Sequence, residues 1–323
     1  MDNALTYIFL AFLSFAGTLF IRGIARKKEF LDRPNERSSH TVPTPHGGGL
    51  AIMGVFYAGL IWYYFQGSVD AALFFALLWG LPIVAVSQID DLFDLPPKLR
   101  FAVQVLSAAA ALYALGGVAA MDFGLFRLEG VWINAMALLV IVWYTNLYNF
   151  LDGIDGYAGA EAVFAGGAAY VLFGSETGLL IAAASAGFLI LNWHKASIFM
   201  GDVGSAPLGF VFAVMTLYAA ETSAFPGWIA LLSLFWFDAT LTLWRRYRRH
   251  EKLTQAHRKH AYQRLVQAGF PHDRVVFFGM MLNTVIFAML WLLPQSAYWA
   301  VLAFAVALLY GAVRFIDSKK AFA

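Results

Sequence analysis

Two strings in this chain set carboxylates close together, Asp90-Asp91-x2-Asp94 and Asn149-x2-Asp152-x2-Asp155, and a third, Gly201-Asp202-x-Gly204-Ser205, sets one among glycines. A fourth, His257-Arg258-Lys259-His260, is basic. Adjacent carboxylates repel unless a cation or a shared proton relieves them. Aspartate oxygens are also the ligands Mg2+ prefers, one or two at a time, with water and substrate phosphates completing the shell. With a basic stretch able to grip phosphate oxygens, the set points to a metal-dependent reaction on a phosphate-bearing substrate.

Each string also has a plainer explanation. Asp90, Asp91 and Asp94, with Lys98 nearby, could form a solvated acidic loop, although ionisable groups at membrane edges tend to be functional. The stretch 146–157 holds no Lys or Arg, so Asp152 and Asp155 lack a local partner. At i and i+3 they share a face if the turn is helical. Asx-Gly turns explain each Asp-Gly singly, but not the repeat with Asn149. Asp202 could be a helix N-cap; glycine on both sides suits close backbone approach to a ligand better. Phe199, three residues earlier, is placed either to stack on a base or to face lipid.

The stretch Ser38-Ser39-His40-Thr41-Val42-Pro43-Thr44-Pro45-His46-Gly47-Gly48-Gly49 is held extended by prolines. Its glycines leave N–H groups for an anion near a helix start, with Thr44 and His46 as candidate substrate contacts. A turn plus helix cap is the alternative. In the basic segment, His257, His260 and Arg264 fall at i, i+3 and i+7, one face of a helix whose apolar side is Leu253, Ala256, Leu265 and Val266. Anchoring to anionic lipid accounts for the Arg245–Arg249 run. It accounts poorly for two histidines that are mostly neutral at pH 7, which fit phosphate gripping better. Asp238 and Glu161 lie inside apolar runs, either as functional groups or as hydrogen-bonding partners of neighbouring helices.

The elements that must position these residues are membrane helices. Hydrophobic residues make up 61% of the 323-residue chain and charged residues 13%, far from soluble averages. Eleven apolar runs approach the roughly 20 residues that cross a bilayer: about 4–22, 48–66, 71–88, 101–119, 131–148, 157–174, 177–192, 205–220, 226–244, 275–293 and 297–315. Of 22 Lys and Arg residues, all but Arg127 fall in connections on one side, Arg37 among them, as do all seven histidines. Basic excess marks the cytoplasmic face. The expectation is an all-α polytopic integral membrane protein with about 11 transmembrane helices, its N-terminus outside and its C-terminus cytoplasmic. It forms a single membrane domain over 1–323, with loops at about 23–47, 89–100, 149–156, 193–204 and 245–274 as the active face. The first span lacks a basic n-region and a small-residue cleavage pattern, so it reads as a retained helix. The absence of cysteine excludes disulfides, thiolate metal sites and a cysteine nucleophile. No internal repeat is evident, which weighs against an inverted-repeat transporter.

The strings DDLFDLPPK, NLYNFLDGIDGY, FMGDVGS and HRKH, in this order over nearly the whole chain, resemble the polyprenyl-phosphate N-acetylhexosamine-1-phosphate transferase family. That family contains the WecA-type and MraY-type enzymes, and AHRKHAYQRL looks most like the WbpL-like branch that initiates O-antigen. The resemblance implies transfer of N-acetylhexosamine-1-phosphate from a UDP-sugar to undecaprenyl phosphate in the bilayer of a bacterial inner membrane. UMP is released, Mg2+ (or Mn2+) is required, and nucleic acid is not a partner. It implies that Asp90 and Asp91 handle the lipid phosphate and that Asp202, with Asp152, holds the metal. Asn149, Asp152 and Asp155 match the nucleotide-site motif, and Gly153, Asn192 and Phe199 match uracil contacts. His257 and His260 match the outer residues of the histidine motif, and Arg258 joins them as a phosphate clamp. Arg258-Lys259 between the histidines departs from other branches. The residues leave open a covalent route through Asp90 or Asp91, the choice among GlcNAc, FucNAc and QuiNAc, and oligomerisation. A flippase or transporter predicts charges at the bilayer midplane, whereas here they crowd one edge, which counts against it. A CDP-alcohol phosphatidyltransferase needs an Arg shortly after its Asp-Gly, and the stretch after Asp152 offers none.

Overall fold

The computed structural model describes residues 3–34, 42–253, 255 and 257–322. Arg37, Ser38, Ser39, His40, Thr41 and Ala256, named above, lie outside the described residues. The described chain is helical apart from two short antiparallel pairings. These are β1 (Leu31–Asp32) with β2 (Thr44–Pro45), and β3 (Ala120–Asp122) with β4 (Arg127–Glu129).

Each expected apolar run falls on a helix or a helix pair. In chain order these are α1 (Asn3–Lys27), α2 (Gly49–Phe65), α3 (Ala71–Leu78) continuing into α4 (Leu81–Phe93), α5 (Pro97–Ala114) and α6 (Ile133–Phe150). Then come α7 (Tyr157–Phe173), α8 (Glu176–Asn192), α9 (Asp202–Tyr218), α10 (Phe225–Leu231) and α11 (Ser233–Arg248). The short α12 (Ala261–Gln267) precedes α13 (His272–Leu292) and α14 (Tyr298–Lys319). Five segments are long and apolar enough to cross a bilayer by themselves: α1, α3–α4, α6, α13 and the segment ending in α14. The α10–α11 pair, bent by 71°, makes a sixth if it is one span.

Helices α2, α7, α8 and α9 have 17 residues each, about 25 Å of rise against a hydrocarbon core of about 30 Å. Their position explains their length. The long helices α1, α13 and α14 expose most of their surface, whereas α9 is buried at every residue from Val203 to Leu217. A helix apolar all round belongs in a core. Helix α9 is packed against α6, α4 and α2, and α8 lies between α7 and α1.

The start of α9 is fixed by a close backbone approach. Phe199 N–H donates to the Pro45 carbonyl (2.8 Å), Gly48 N–H to the Phe199 carbonyl (2.9 Å) and Gly49 N–H to the Met200 carbonyl (2.9 Å). The glycine stretch expected to offer its amides to an anion therefore spends two of them on this ladder. A Cβ on Gly49 would sit 2.3 Å from Gly204 Cα. Gly49→Ala must separate α2 from α9, and overpacking of this kind costs about 1–3 kcal/mol or more. The expected result is a lower melting temperature of the detergent-solubilised protein; an unchanged melting temperature would refute this account of the contact.

Opposite ends of α9 mark opposite ends of the bundle. Beyond its C-terminus, the Ala220 carbonyl accepts from Asp122 N–H (2.8 Å) and Glu221 Oε1 from Ala119 N–H (2.9 Å), fixing the β3–β4 hairpin that carries Arg127. Its N-terminus opens into the loops expected to be catalytic.

Candidate active site

The paired aspartates occupy the last turn of α4 and have different surroundings. Asp90 is engaged at both oxygens: Oδ1 accepts from Leu95 N–H at 2.7 Å, and Oδ2 pairs closely with the Arg100 guanidinium of α5. Arg100 also reaches Asp202 Oδ2 at 3.2 Å. The Asp202 and Val203 backbone amides lie near Asp91, and among the described residues its Oδ2 is buried without a hydrogen-bond partner. Gly201, at φ +77°, makes this approach possible, because a Cβ there would lie 2.8 Å from Asp91 Oδ2.

Asp202 is the first residue of α9, and Gly201 occupies the cap position. Asn149, at the end of α6, donates to Asp202 Oδ1 (2.7 Å) and to Ser205 Oγ (2.9 Å). Each Asp202 oxygen retains a second lone pair directed elsewhere. Asp152 follows α6 in irregular backbone. Burial first, then the charges of Asp202 and Asp91, push its carboxyl well above the ordinary range. Asp91, Asp152 and Asp202 thus converge closely enough to repel one another. Carboxylate oxygens are the ligand type that hard divalent cations take.

Asp155 has partners that the sequence did not disclose. The 152–155 turn is not helical, so the two aspartates do not share a helix face. Asp155 Oδ2 lies 3.0 Å from His194 Nδ1, 3.3 Å from His272 Nδ1 and 3.3 Å from the Ala196 N–H. Burial raises its carboxyl, but the bonds and charge of His272, then His194 and the Ala196 amide, outweigh burial and leave it below the ordinary value. The expectation of an unpaired Asp155 is therefore corrected. Asn192 ties two loops together, accepting from Gly156 N–H (3.0 Å) and donating to the Ile198 carbonyl (3.0 Å).

A cavity of about 570 Å3 gathers these groups. Asp91, Asn149, Asp152, Gly153, Asp155, Asn192, Phe199, Asp202 and His46 all line it. Burial holds the His46 imidazole below its usual range, against the opposing pull of the Asp32 and Asp202 charges. Leu31, Asp32, Arg33, Gln263 and His272 also line the cavity. Of these five, only Gln263 falls in a quoted string, AHRKHAYQRL, and there without an assigned role; the contacts that bring them in arise from the fold.

Thr44 lies outside the lining. It is buried, and its hydroxyl donates to the Val42 carbonyl. His257, Arg258 and His260 also lie outside the lining. The shared helical face expected for His257, His260 and Arg264 is not formed, because α12 begins at Ala261 with His260 as its cap. The physical reason is Arg246, buried beneath the segment. Its guanidinium takes the carbonyls of Lys252 (2.6 Å), Leu253 (3.3 Å) and Gln255 (3.0 Å), groups that a helix would direct to its own amides. Arg264 pairs with Asp317. His260 turns toward Asp238, 3.7 Å between Nδ1 and Oδ1, and stacks beside Phe150. Burial and neighbouring cations, His260 first, depress the His257 imidazole to about 4. The two intramembrane carboxylates both have partners: Asp238 accepts from Thr242 and the Ala261 N–H, and Glu161 from Asn283.

Comparison with known proteins places this geometry. The model described as Glycosyl transferase family 4 matches residues 73–220. An undecaprenyl-phosphate alpha-N-acetylglucosaminyl 1-phosphate transferase of Yersinia pestis is 30% identical over 96% of this chain and 90% of its own length. The chain belongs to the polyprenyl-phosphate N-acetylhexosamine-1-phosphate transferase family. A probable undecaprenyl-phosphate N-acetylglucosaminyl 1-phosphate transferase of Bacillus subtilis is 28% identical over 93% of this chain and 88% of its own. A decaprenyl-phosphate N-acetylglucosaminephosphotransferase of Mycobacterium leprae is 30% identical over 85% and 79%. The family-matched region runs from α3 into the residues just after α9. It contains all of the converging aspartates but neither His46 nor His272.

Proposed function

We propose that this membrane-embedded sugar-phosphate transferase moves N-acetylhexosamine-1-phosphate from a UDP-sugar to undecaprenyl phosphate, releasing UMP and starting a lipid-linked glycan such as O-antigen. The observation that carries this reading is the convergence of Asp91, Asp152 and Asp202 on one cavity at one end of the bundle. The lipid acceptor's phosphate sits at the bilayer interface, so its partner site must open at that depth. The short inner helices α2, α7, α8 and α9 recess the loops at their ends to that level, where irregular backbone is tolerated because protein surrounds it. We assign this end to the cytoplasmic face, the one rich in Lys and Arg, and the chain to the inner membrane with eleven crossings.

In the reaction, a phosphate oxygen of the lipid attacks the sugar-bearing phosphorus in line. The pyrophosphate bond breaks with the bridging oxygen leaving on UMP, and a new diphosphate joins lipid to sugar. Phosphoryl transfer asks mainly for alignment and charge cancellation. Asp91, with its unpartnered oxygen, accepts the acceptor's proton or holds the attacking oxygen in line. Asp90 and Arg100 hold the start of α5 against Asp202. Asp202 and Asp152 would hold Mg2+ or Mn2+, which when bound neutralises the donor diphosphate and improves UMP as a leaving group. Asn149 fixes Asp202, and Phe199, Gly153, Asn192 and Asp155 wall the part of the cavity we assign to the base. We assign donor-phosphate contacts to His257, Arg258 and His260 from the family's histidine motif, with His257 a neutral hydrogen-bonding group, although none of the three lines the cavity.

The test is UMP release by detergent-purified protein given undecaprenyl phosphate, Mg2+ and a panel of UDP-sugars, including UDP-GlcNAc and its 6-deoxy relatives. Release that requires both lipid phosphate and one sugar of the panel is expected. Release independent of the lipid, or none with any sugar, would overturn the proposal. Trapping phosphate on Asp91 would replace direct attack with a covalent route.

A further inference from the structure

We propose that His194 and His272 are positioning residues for Asp155. His194 holds one of its carboxylate oxygens and His272 its backbone N–H, so that the other oxygen is left to accept an N–H from the edge of the donor's base. The inference rests on the nucleotide-dependent reading above and specifies how the base is chosen.

Two hydrogen bonds converge on Asp155 Oδ2, from His194 Nδ1 at 3.0 Å and the Ala196 N–H at 3.3 Å, and His272 Nδ1 lies 3.3 Å from the same oxygen. Among the described residues, no hydrogen bond to Oδ1 is formed, and Asp155 lines the cavity. The Asp155 N–H donates to His272 Nδ1 at 3.3 Å, so His272 holds the backbone of the residue whose side chain His194 holds. The pieces come from distant segments, 39 residues away for His194 and 117 for His272. No local turn preference produces this arrangement. A carboxylate held by two donors on one oxygen, on a backbone pinned by His272, has a fixed rotamer, and its second oxygen is a fixed acceptor.

That acceptor discriminates between pyrimidines. A base edge with a protonated ring nitrogen between two carbonyls, as in uracil, donates to it. A ring nitrogen with a lone pair, as in cytosine, is repelled by it. Sites built around such a bond reject analogues that cannot make it, because the buried group is then left unpaired.

The same three residues could be read as a metal site, since their ligand atoms lie within 4.8 Å of one another. The geometry favours the clamp. Protonated, His272 Nδ1 has no lone pair to give a metal; neutral, it spends that lone pair on the Asp155 N–H. The Ala196 amide takes a further position on Oδ2.

The test uses the full chain in detergent, titrated calorimetrically with UMP and with CMP, beside steady-state turnover. His194→Ala and His272→Ala are each expected to weaken UMP at least tenfold and CMP by less than twofold. The KM for the UDP-sugar should rise while kcat stays within about threefold. His194→Asn, whose side-chain amide N–H falls near the lost Nδ1, and His272→Asn, whose amide oxygen does, should recover most of the UMP affinity. His272 is buried and its alanine variant could misfold; His194 is more exposed, and its pair of variants carries the test alone. Wild-type UMP affinity in the alanine variants, equal losses for UMP and CMP, or failure of the asparagine variants to recover would overturn the clamp. So would one equivalent of Zn2+ held by the wild type and lost from His194→Ala. If the wild type binds no UMP and turns over no UDP-sugar, the transferase reading falls and takes the clamp with it. If the wild type does both and the variants do not respond, the clamp alone falls.

Discussion

Asp91→Asn is expected to lower kcat about a thousandfold, roughly 4 kcal/mol of barrier, while Asp90→Asn costs only about tenfold, roughly 1.4 kcal/mol. The two side chains are neighbours in sequence and differ in what they touch. Asp90 has Leu95 N–H on one oxygen and Arg100 on the other, so its work is to hold the α4–α5 junction. Its loss is felt through Arg100 and hence through the placement of Asp202. Asp91 lines the cavity with a buried oxygen that no group among the described residues satisfies. A buried acceptor left open costs stability, and in an active site it waits for the substrate. Positioned proton transfer or hydrogen bonding by one carboxylate typically contributes 10²–10⁴-fold in rate, and the asparagine amide can supply neither the charge nor the proton acceptance. Single-turnover UMP release by both variants would decide it. Equal losses, or a larger loss at Asp90, would reverse the division of labour.

The part of this site legible in the sequence is the part in which residue type and helix end coincide. Asp90-Asp91, Asn149 to Asp155 and Asp202 each sit where an apolar run stops, and runs that stop on the same side bring their ends together. The unread part depends on contacts between segments far apart in the chain. Arg100 counted only as a basic residue near a helix start, yet it bridges Asp90 and Asp202 across 102 residues in one direction. His272 follows a proline at the start of α13 and gives no local sign that it faces Asp155. The basic loop was misread for a different reason. His257, His260 and Arg264 satisfy a helical period, and periodicity does not reveal that Arg246 claims the carbonyls of the segment from below. The glycine stretch before α2 was read as a cradle for an anion, whereas two of its amides serve the backbone of Phe199 and Met200. In each case an isolated segment shows which donors and acceptors exist, but not which partner the fold delivers.

Asp202→Asn should reduce turnover to below about a thousandth of wild type at every Mg2+ or Mn2+ concentration, with the fold retained. The geometry makes the asparagine variant more than a loss of charge. Asn149 donates to Oδ1 and Arg100 to Oδ2, so whichever way the new amide turns, one of these donors meets an N–H. Arg100 would then be drawn wholly to Asp90, and Asn149 would keep only Ser205. The start of α9 is held independently by the ladder from Pro45 to Met200, which is why the variant should fold. A thousandfold loss is roughly 4 kcal/mol, within what a misplaced or missing cation at a phosphoryl-transfer site can account for. The readout is UMP release across a titration of Mg2+ and then Mn2+, with the melting temperature as the control for folding. Asp202→Glu separates charge from geometry: it restores the negative group about one methylene further out. It should recover cation-dependent activity in part, because the glutamate again accepts from both donors. Near-normal turnover in Asp202→Asn, or recovery by raising Mg2+ alone, would remove Asp202 from the cation-holding role and move that role to Asp152 and Asp91.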